Sequence, residues 1–178
     1  GFVTNGTIEL EGFCEFENQT SLDHHLRYLY KITQESLANR GFDISSIGVA
    51  APKGNQKTGY IEDAYGLMSW GNRIPIVELI ESYFGLPAFL VNDSNASAVA
   101  EKLYGRGKSK SDFLVIVLDN GVGAGVYVND QLMSGSNGAA GEVGHVNVET
   151  EGRLCGCGRY GCLESYASAD GVIRTMRD

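Results

Sequence analysis

Apolar residues along the chain recur at spacings that predict helices and strands. Between Leu22 and Arg40 they occur at helical intervals, at positions 22, 26, 29, 30, 32 and 37, and predict one helix. Ile44–Ala51 is a short apolar run typical of a buried strand, and Ile74–Tyr83 predicts a short amphipathic helix. The first part of the chain is therefore expected to alternate between the two kinds of element.

Two weaker patterns complete this region. Phe2–Phe16 alternates between apolar and polar residues around Asn5-Gly6, the dipeptide most typical of a tight hairpin turn. His24 and His25 are predicted to lie on the solvated face of the first long helix.

A cluster of polar side chains lies where a predicted strand passes into a predicted helix. Pro87–Val91 predicts a strand, and small helix-forming residues take over from Ala96. Asn92, Asp93 and Asn95 lie between them, and the carboxyl end of a strand in an α/β sheet is the usual place for a ligand. An isolated Asp at such a position is more often a helix cap than a catalytic base. Both roles remain open for Asp93 on position alone.

The chain beyond a polar, glycine-rich linker at Gly105–Asp112 predicts another pair of strands. Phe113–Leu118 is fully apolar, Asp119–Gly125 is rich in glycine, and Val126–Val128 is apolar again. A glycine-rich turn between strands can present backbone N–H groups to phosphate, although glycine-rich hairpins without that role are common. Glu142–Val148 is predicted as a further strand, and a last helix is expected from residue 163 to the end.

One histidine and three of the four cysteines predict a metal site. Cys155 and Cys157 are two residues apart, Cys162 follows five residues later, and His145 lies ten residues before the first cysteine. One imidazole and three thiolates satisfy a closed, tetrahedral structural zinc site. Glycines at positions 156, 158 and 161 allow the loop to fold back so that its sulfurs converge. The alternative is a set of three buried thiols without metal, and Cys14 is left over.

Carboxylates and amides around these features favour a polyhydroxylated ligand. Glu142 and Glu164 flank the metal cluster without being needed by it, and Asn92 and Asn95 accompany Asp93. Each hydroxyl of such a ligand both donates and accepts hydrogen bonds, so it calls for this mixture of groups. A carboxylate within reach of a hydroxyl can remove its proton and make it a nucleophile, as in phosphoryl transfer.

Composition and charge narrow the class of protein. The 178 residues are 43% hydrophobic and carry 14 basic and 22 acidic side chains, a formal net charge of −8. An acidic chain without a Lys/Arg run argues against nucleic-acid binding within it. No apolar run has the roughly 18 residues of a membrane span, and the start is not a signal peptide. We therefore expect a cytoplasmic protein. The missing initiator Met and an end within a helical pattern suggest a segment of a longer chain.

Several motifs together resemble the ROK family of bacterial sugar kinases and repressors. The most specific one runs from Gly-Glu-Val-Gly-His145 through Cys155-Gly-Cys157-Gly-Arg-Tyr-Gly-Cys162-Leu-Glu164, which is similar to the family's zinc motif in order and spacing. The segment Val91-Asn-Asp-Ser-Asn-Ala96 resembles its Asn-Asp-Ala-Asn motif. The stretch from Gly48 through Trp70 is similar to its Gly-x-x-x-Pro and Asn-Leu-x-x-Trp motifs.

The resemblance implies an α/β, actin-like (ribonuclease H-like) ATPase fold with two lobes, of which this is a partial chain. The lobes would be residues 1–110, without the first phosphate-motif strand, and residues 111–178, the start of the second lobe with the zinc-binding loop. It also implies a glucokinase-like, ATP-dependent hexose kinase, with ATP, Mg²⁺ and structural Zn²⁺ as partners and a homodimer as its assembly.

The resemblance assigns roles by position. Asp93 would be the catalytic base on the sugar 6-hydroxyl and would bind the sugar together with Asn92, Glu142, His145 and Glu164. Zinc would be held by His145, Cys155, Cys157 and Cys162. The turn that approaches the ATP phosphates would contain Gly121 and Gly123.

Departures from the family pattern leave a second functional class as an alternative. Asp119-Asn120 stands where the family's phosphate turn usually has Gly-Thr, and Gly66 stands where it has a sugar-contacting Asn. A carboxylate near phosphates is disfavoured by like-charge repulsion. The alternative is a ROK-type, sugar-responsive transcriptional repressor or a catalytically inactive sugar-binding relative. The residues do not identify which sugar is bound.

Overall fold

A computed structural model describes residues 1–4, 7–9, 21–38, 44–62 and 70–177 of the chain. The predicted turn at Asn5-Gly6, together with Cys14 and Gly66, lies outside these residues. The chain divides into two compact units, one formed by Gly1–Val49 with Gly59–Leu90 and the other by Ala50–Thr58 with Val91–Asp178. The lobe boundary between residues 110 and 111 stays a prediction.

Helices and strands are both well represented in the described residues. The nine strands found there are β1 Phe2–Thr4, β2 Thr7–Glu9, β3 Ile47–Ala51, β4 Gly54–Asn55, β5 Tyr60–Ile61, β6 Ala88–Asn92, β7 Phe113–Leu118, β8 Val122–Val128 and β9 Gln131–Leu132. The α-helices there are α1 Leu22–Ala38, α2 Ile76–Phe84, α3 Asp93–Leu103, α4 Glu164–Ala167 and α5 Ala169–Arg177. A 3-10 helix spans Val143–His145. None of the helices that the structure describes is long and apolar enough to cross a membrane.

The first unit packs α1 against α2. Strands β1 and β2 pair antiparallel in this unit, with Thr4 opposite Thr7, as the hairpin prediction requires. The rings of Tyr30 and Phe84 meet edge to face with centroids 5.4 Å apart. His25 is buried and its ring lies 4.9 Å from that of Trp70, so the prediction of a solvated His25 was wrong. The helical spacing places it beside Leu26, on the side of α1 that is buried.

The second unit is built around the antiparallel sheet β7–β8–β9. Strand β8 begins at Val122, so the glycine-rich turn is shorter than the sequence predicted, and two of its glycines lie within the strand. These two glycines let α3 approach. A Cβ atom on Gly123 would lie 2.3 Å from the Ser94 hydroxyl oxygen, and one on Gly125 would lie 2.4 Å from the Ala98 Cβ.

Helix α3 follows β6 directly and begins three residues earlier than the predicted start at Ala96. Asn92 caps it, because its side-chain oxygen accepts from the backbone N–H groups of Ser94 at 3.0 Å and Asn95 at 3.2 Å. The capping role considered for Asp93 therefore belongs to its neighbour. Asp93 is the first residue of the helix and is half-buried.

The segment Glu142–Val148 does not form the predicted strand. Its backbone turns through the short 3-10 helix instead and lies against β8, where the Ala124 N–H donates to the Gly141 carbonyl at 2.9 Å. Gly141 has a φ of +83°, and a Cβ there would lie 1.9 Å from the Ala124 carbonyl oxygen. Valines at 143, 146 and 148 favour a strand, but the glycine contacts determine the local path.

Candidate functional site

The four predicted metal ligands converge in the second unit. Their ligand atoms, one from each of His145, Cys155, Cys157 and Cys162, all lie within 4.8 Å of one another. Cys155 and Cys162 are buried, whereas Cys157 is exposed. The sequence spacing therefore identified a real cluster of side chains.

Interatomic distances in this cluster fit a tetrahedral zinc ion. Sulfur atoms at ~2.3 Å from a tetrahedral zinc are about 3.8 Å apart, and such a sulfur lies about 3.6 Å from an imidazole nitrogen ligand. The sulfur atoms of Cys157 and Cys162 are 3.7 Å apart. The Cys155 sulfur is 3.6 Å from Nδ1 of His145. The donor set and its spacing are compatible with structural zinc.

A tight turn brings the cysteines together. The Cys155 N–H donates to the Arg159 carbonyl at 2.8 Å, and the Gly158 N–H donates to the Cys155 carbonyl at 2.9 Å. Gly158 and Gly161 have φ of +84° and +74°, and a Cβ on Gly161 would lie only 1.6 Å from the Glu149 carbonyl oxygen. Gly156 has open space around its Cα. Two of the three glycines are thus required by the backbone, and Gly156 is not.

The thiols of the cluster differ in acidity. Partial desolvation raises the pKa of Cys157, but hydrogen bonds from the backbone and guanidinium of Arg159 outweigh it and bring that pKa to about 7. Desolvation raises the pKa of Cys162 to about 11, and hydrogen bonds with Cys157 and Cys155 add to the effect. Because a metal binds the thiolate, binding here releases protons. Arg159 also donates to the His145 carbonyl at 3.3 Å.

The second nitrogen of His145 faces a carboxylate. Its Nε2 is 3.6 Å from Oε2 of Glu142, and the His145 side chain is only 14% exposed. A ligand imidazole commonly has such a partner on its other nitrogen, which fixes the ring. The same Glu142 oxygen is 3.7 Å from Nζ of Lys53. No pattern in the sequence singles out Lys53, which lies in a turn 89 positions before Glu142.

Glu164 lies on the other side of the cluster. Its Oε2 accepts from the Val122 N–H at 2.9 Å, and the Cys155 thiol donates to its Oε1 at 3.8 Å. A Cβ on Gly121 would lie 3.1 Å from Oε2 of Glu164. The loop that carries the four predicted ligands, residues 145–162, is called the metal loop. The metal loop and the start of β8 therefore meet at this carboxylate.

Asp93 lies close to the same end of β8. Its Oδ1 accepts from the Ser94 N–H at 2.7 Å. The hydroxyl of Ser94 packs against Gly123, two residues after the glycine that faces Glu164. Contacts along one strand end thus run from Ser94, the residue after the predicted base, to Glu164.

A cavity of about 330 Å³ opens beside the junction of β6 and α3, also within the second unit. Asn92, Asn95, Lys57 and Ser134 are among its lining residues. Asn95 is 5% exposed, and its side-chain oxygen has no hydrogen-bond partner among the described residues. A buried acceptor without a partner is costly, so a bound donor at this point would be favoured.

A second cavity of about 430 Å³ lies on the side of the β7–β8 turn. Its lining residues include Asn120, Glu164, Ser168 and Arg174. Glu164 thus borders a space that is also reached by the predicted phosphate turn.

A network that the sequence did not reveal supports the metal loop. The guanidinium of Arg153 donates to the Gly171 carbonyl at 3.0 Å and to the Thr175 hydroxyl at 2.9 Å. The Tyr166 hydroxyl accepts from the Arg153 N–H at 2.8 Å and donates to Glu149 at 2.6 Å. The bond to Glu149 is the main reason that the pKa of Tyr166 is raised. These bonds tie the loop to α4 and α5. Their sequence separations of 13 to 22 residues carry no recognisable pattern.

Comparison with known proteins shows which family and which relatives this chain is similar to. The model of the ROK family matches residues 19–178. A glucokinase of Halalkalibacterium halodurans is 39% identical over 134 residues, which are 74% of this chain and 40% of that protein. A xylose repressor of Caldicellulosiruptor bescii is 28% identical over 183 residues, which are 97% of this chain and 44% of that protein. The chain spans less than half the length of either relative.

Solved structures of ROK proteins have a similar fold over most of this chain. A ROK hexokinase from Thermus thermophilus superimposes with a TM-score of 0.74 at 28% identity, over 89% of this chain and 52% of that one. A ROK family glucokinase from Streptomyces griseus, in complex with glucose and AMPPNP, gives a TM-score of 0.69 at 31% identity, over 83% of this chain and 48% of that one. The α/β, actin-like fold class predicted from the sequence is confirmed.

Proposed function

Since the chain belongs to the ROK family, we propose that it carries the sugar site and catalytic base of a glucokinase-like, ATP-dependent hexose kinase. The glucokinase relative and the glucokinase structure with glucose and AMPPNP support this reaction. Because the chain spans only part of such proteins, the activity is proposed for the complete protein that contains it.

One observation carries the proposal. Glu142 lies 3.6 Å from the His145 ring, the ring lies 3.6 Å from the Cys155 sulfur, and Glu164 beside the cluster is held by the Val122 N–H, so two carboxylates and an imidazole lie around the predicted metal ligands. Carboxylates accept hydrogen bonds from sugar hydroxyls, and fixed acceptors lose little entropy on binding. Asn92 would add its amide N–H donors, because its side-chain oxygen is already used as the helix cap.

Asp93 would act as the base. One carboxylate oxygen is held by the Ser94 N–H, and the other would take the proton from the sugar 6-hydroxyl. As the O–H bond breaks, the sugar oxygen forms a bond to the γ-phosphorus of ATP, and the bond from that phosphorus to the bridging oxygen breaks to release ADP. Magnesium bound with ATP would supply positive charge to the phosphate oxygens.

Zinc would serve the site through geometry. His145, Cys155, Cys157 and Cys162 would hold it, and four protein ligands leave no open position for a reacting water. Its contribution would be to fix the His145 ring, so that the ring's other nitrogen orients Glu142. Removing the metal should therefore affect the sugar site as well as the fold.

The two glycines predicted for the phosphate turn have different surroundings. Gly121 stands in the turn beside Glu164, whereas the close approach of α3 already accounts for Gly123. We propose that the backbone around Gly121 approaches the ATP phosphates. Asn120, which lines the second cavity, would be the neighbouring side chain.

A sugar-responsive repressor is the second candidate. Asp119-Asn120 favours it, because a carboxylate beside the phosphates opposes their binding, and a xylose repressor is among the relatives. A repressor would bind sugar without consuming ATP. The predicted homodimer is common to both candidates and stays a prediction.

A panel of hexoses tests the proposal on the complete protein. Glucose, fructose, mannose and N-acetylated hexosamines are each supplied with ATP and Mg²⁺, and ADP release is followed by a coupled assay. The kinase proposal expects release that depends on at least one sugar. Sugar binding by calorimetry with no sugar-dependent ADP release would favour the repressor.

A further inference from the structure

Lys53 has an unusual backbone conformation. It lies between Pro52 and Gly54 with a φ of +56°, in the left-handed region that residues with side chains rarely adopt. The residue type that tolerates this region best is glycine, and a glycine follows directly at position 54. A strained residue of this kind persists when the surrounding structure holds it, and such residues cluster at ligand sites.

The ammonium group of Lys53 lies beside the carboxylate of Glu142. Nζ of Lys53 lies 3.7 Å from Oε2 of Glu142, the atom that also faces His145. Both the Lys53 and the Glu142 side chains are 42% exposed, so a ligand can reach them.

Separate hydrogen bonds keep the turn in place. Asn55 donates to the Asn137 carbonyl at 3.2 Å, and Nζ of Lys57 donates to the Ser136 carbonyl at 2.7 Å. These bonds join the Lys53 turn to the loop that precedes Glu142. Contacts other than the Lys53–Glu142 ion pair therefore join this turn to that loop.

We propose that Lys53 is a specificity-determining residue of the sugar site, which selects neutral hexoses against protonated amino sugars. The inference rests on the proposed sugar site. Asp93, Glu142 and Glu164 only accept hydrogen bonds when ionised, and by charge alone they would attract a cationic sugar. The Lys53 ammonium opposes that attraction and donates a hydrogen bond to a sugar oxygen. A hydroxyl oxygen or an N-acyl carbonyl provides this acceptor, and a protonated amine does not.

Calorimetric titration of the complete protein with glucose and with glucosamine tests the proposal, at a pH where the amine is protonated. In Lys53→Met the preference for glucose over glucosamine should fall about tenfold, which corresponds to one close like-charge contact in a partly solvated site. Lys53→Arg keeps the charge and should stay near the wild-type ratio. The exposed Lys108 provides the matched control, Lys108→Met, which removes one positive charge elsewhere.

An unchanged ratio in Lys53→Met would overturn the proposal, as would an equal shift in Lys108→Met. Lys53→Gly distinguishes function from structure, because glycine relieves the strained φ. This variant should melt about 2 °C higher and still lose the discrimination. A lower melting temperature with an unchanged ratio would assign Lys53 a purely structural role and overturn the proposal.

The same titrations separate this inference from the kinase proposal. If the wild type binds hexoses without releasing ADP, the kinase proposal fails, and the Lys53 ratio still decides the inference. If no hexose binds, both fail together.

Discussion

The metal loop and the β6–α3 junction both carry residues proposed for the site, but they are built differently. In the loop, four ligand atoms meet within 4.8 Å, and the turn glycines serve that convergence. At the junction, Asn92 caps a helix and Asn95 is buried beside a cavity, so two of the polar residues also have roles in the fold. Asp93 is the exception there, because its half-buried carboxylate does not cap α3.

This difference separates damage to the fold from damage to the chemistry. A substitution in the metal loop should disturb the metal, the loop and the carboxylates attached to it together. A substitution of Asp93 should leave the fold intact and affect proton transfer alone. Variants in the two regions can therefore test whether the loop acts as one unit and the junction as separable parts.

The largest effect on stability is expected from Cys162→Ser. Cys162 is 1% exposed and its sulfur is 3.7 Å from that of Cys157, so the change removes a buried side chain that is predicted to be a metal ligand. Loss of a structural metal is among the few causes of destabilisation by more than about 4 kcal/mol. Zinc content, measured by elemental mass spectrometry, should fall well below one per chain, and the melting temperature should fall with it. Cys14→Ser, which changes the one cysteine that the predicted motif does not include, is the control; equal zinc in both variants would contradict the predicted ligands.

A smaller effect is expected from a single methyl group in the same loop. Gly161→Ala should cost about 2–3 kcal/mol, because its Cβ would lie 1.6 Å from the Glu149 carbonyl oxygen at a φ of +74°. Gly156→Ala should stay within about 0.5 kcal/mol, since an added Cβ would have no atom within 4 Å apart from its chain neighbours. Urea unfolding of both variants measures the difference. Equal losses would mean that the loop does not depend on its backbone contacts.

The smallest effect is expected at the junction. Asn92→Ala removes the cap of α3 and should cost about 1 kcal/mol in urea unfolding. Asn92→Asp keeps a capping oxygen and should be close to wild type in stability. Zinc content should be unchanged in both. A loss of zinc in either variant would show that the two regions are coupled.

How well the sequence predicted the structure depended on how local the determining contacts are. Helix α1 and strand β7 follow from short-range spacing and occur where spacing places them, and the four predicted metal ligands cluster as their spacing indicates. The cap at Asn92 could not be told from one at Asp93, because both side chains suit a helix start. The metal loop was recognisable because three thiols at such short intervals have few other uses.

Contacts distant in sequence were the part that spacing could not provide. The path of Gly141–His145 is determined by close approach to β8, and the segment alone resembles a strand. The contact of Lys53 with Glu142 and the bonds of Arg153 join segments without any periodic relation. His25 was misjudged for a different reason, because it lies next to Leu26 on the buried side of α1, where the helical spacing already favoured burial.

Asp93→Asn in the complete protein tests the central claim most directly. The substitution preserves size and keeps an oxygen for the Ser94 N–H, so sugar binding by calorimetry and zinc content should match the wild type. Sugar-dependent ADP release, measured on the same preparation, should fall about 10²–10⁴-fold, as expected for loss of a general base. Unchanged turnover with unchanged sugar binding would contradict the claim that Asp93 is the base of a sugar kinase.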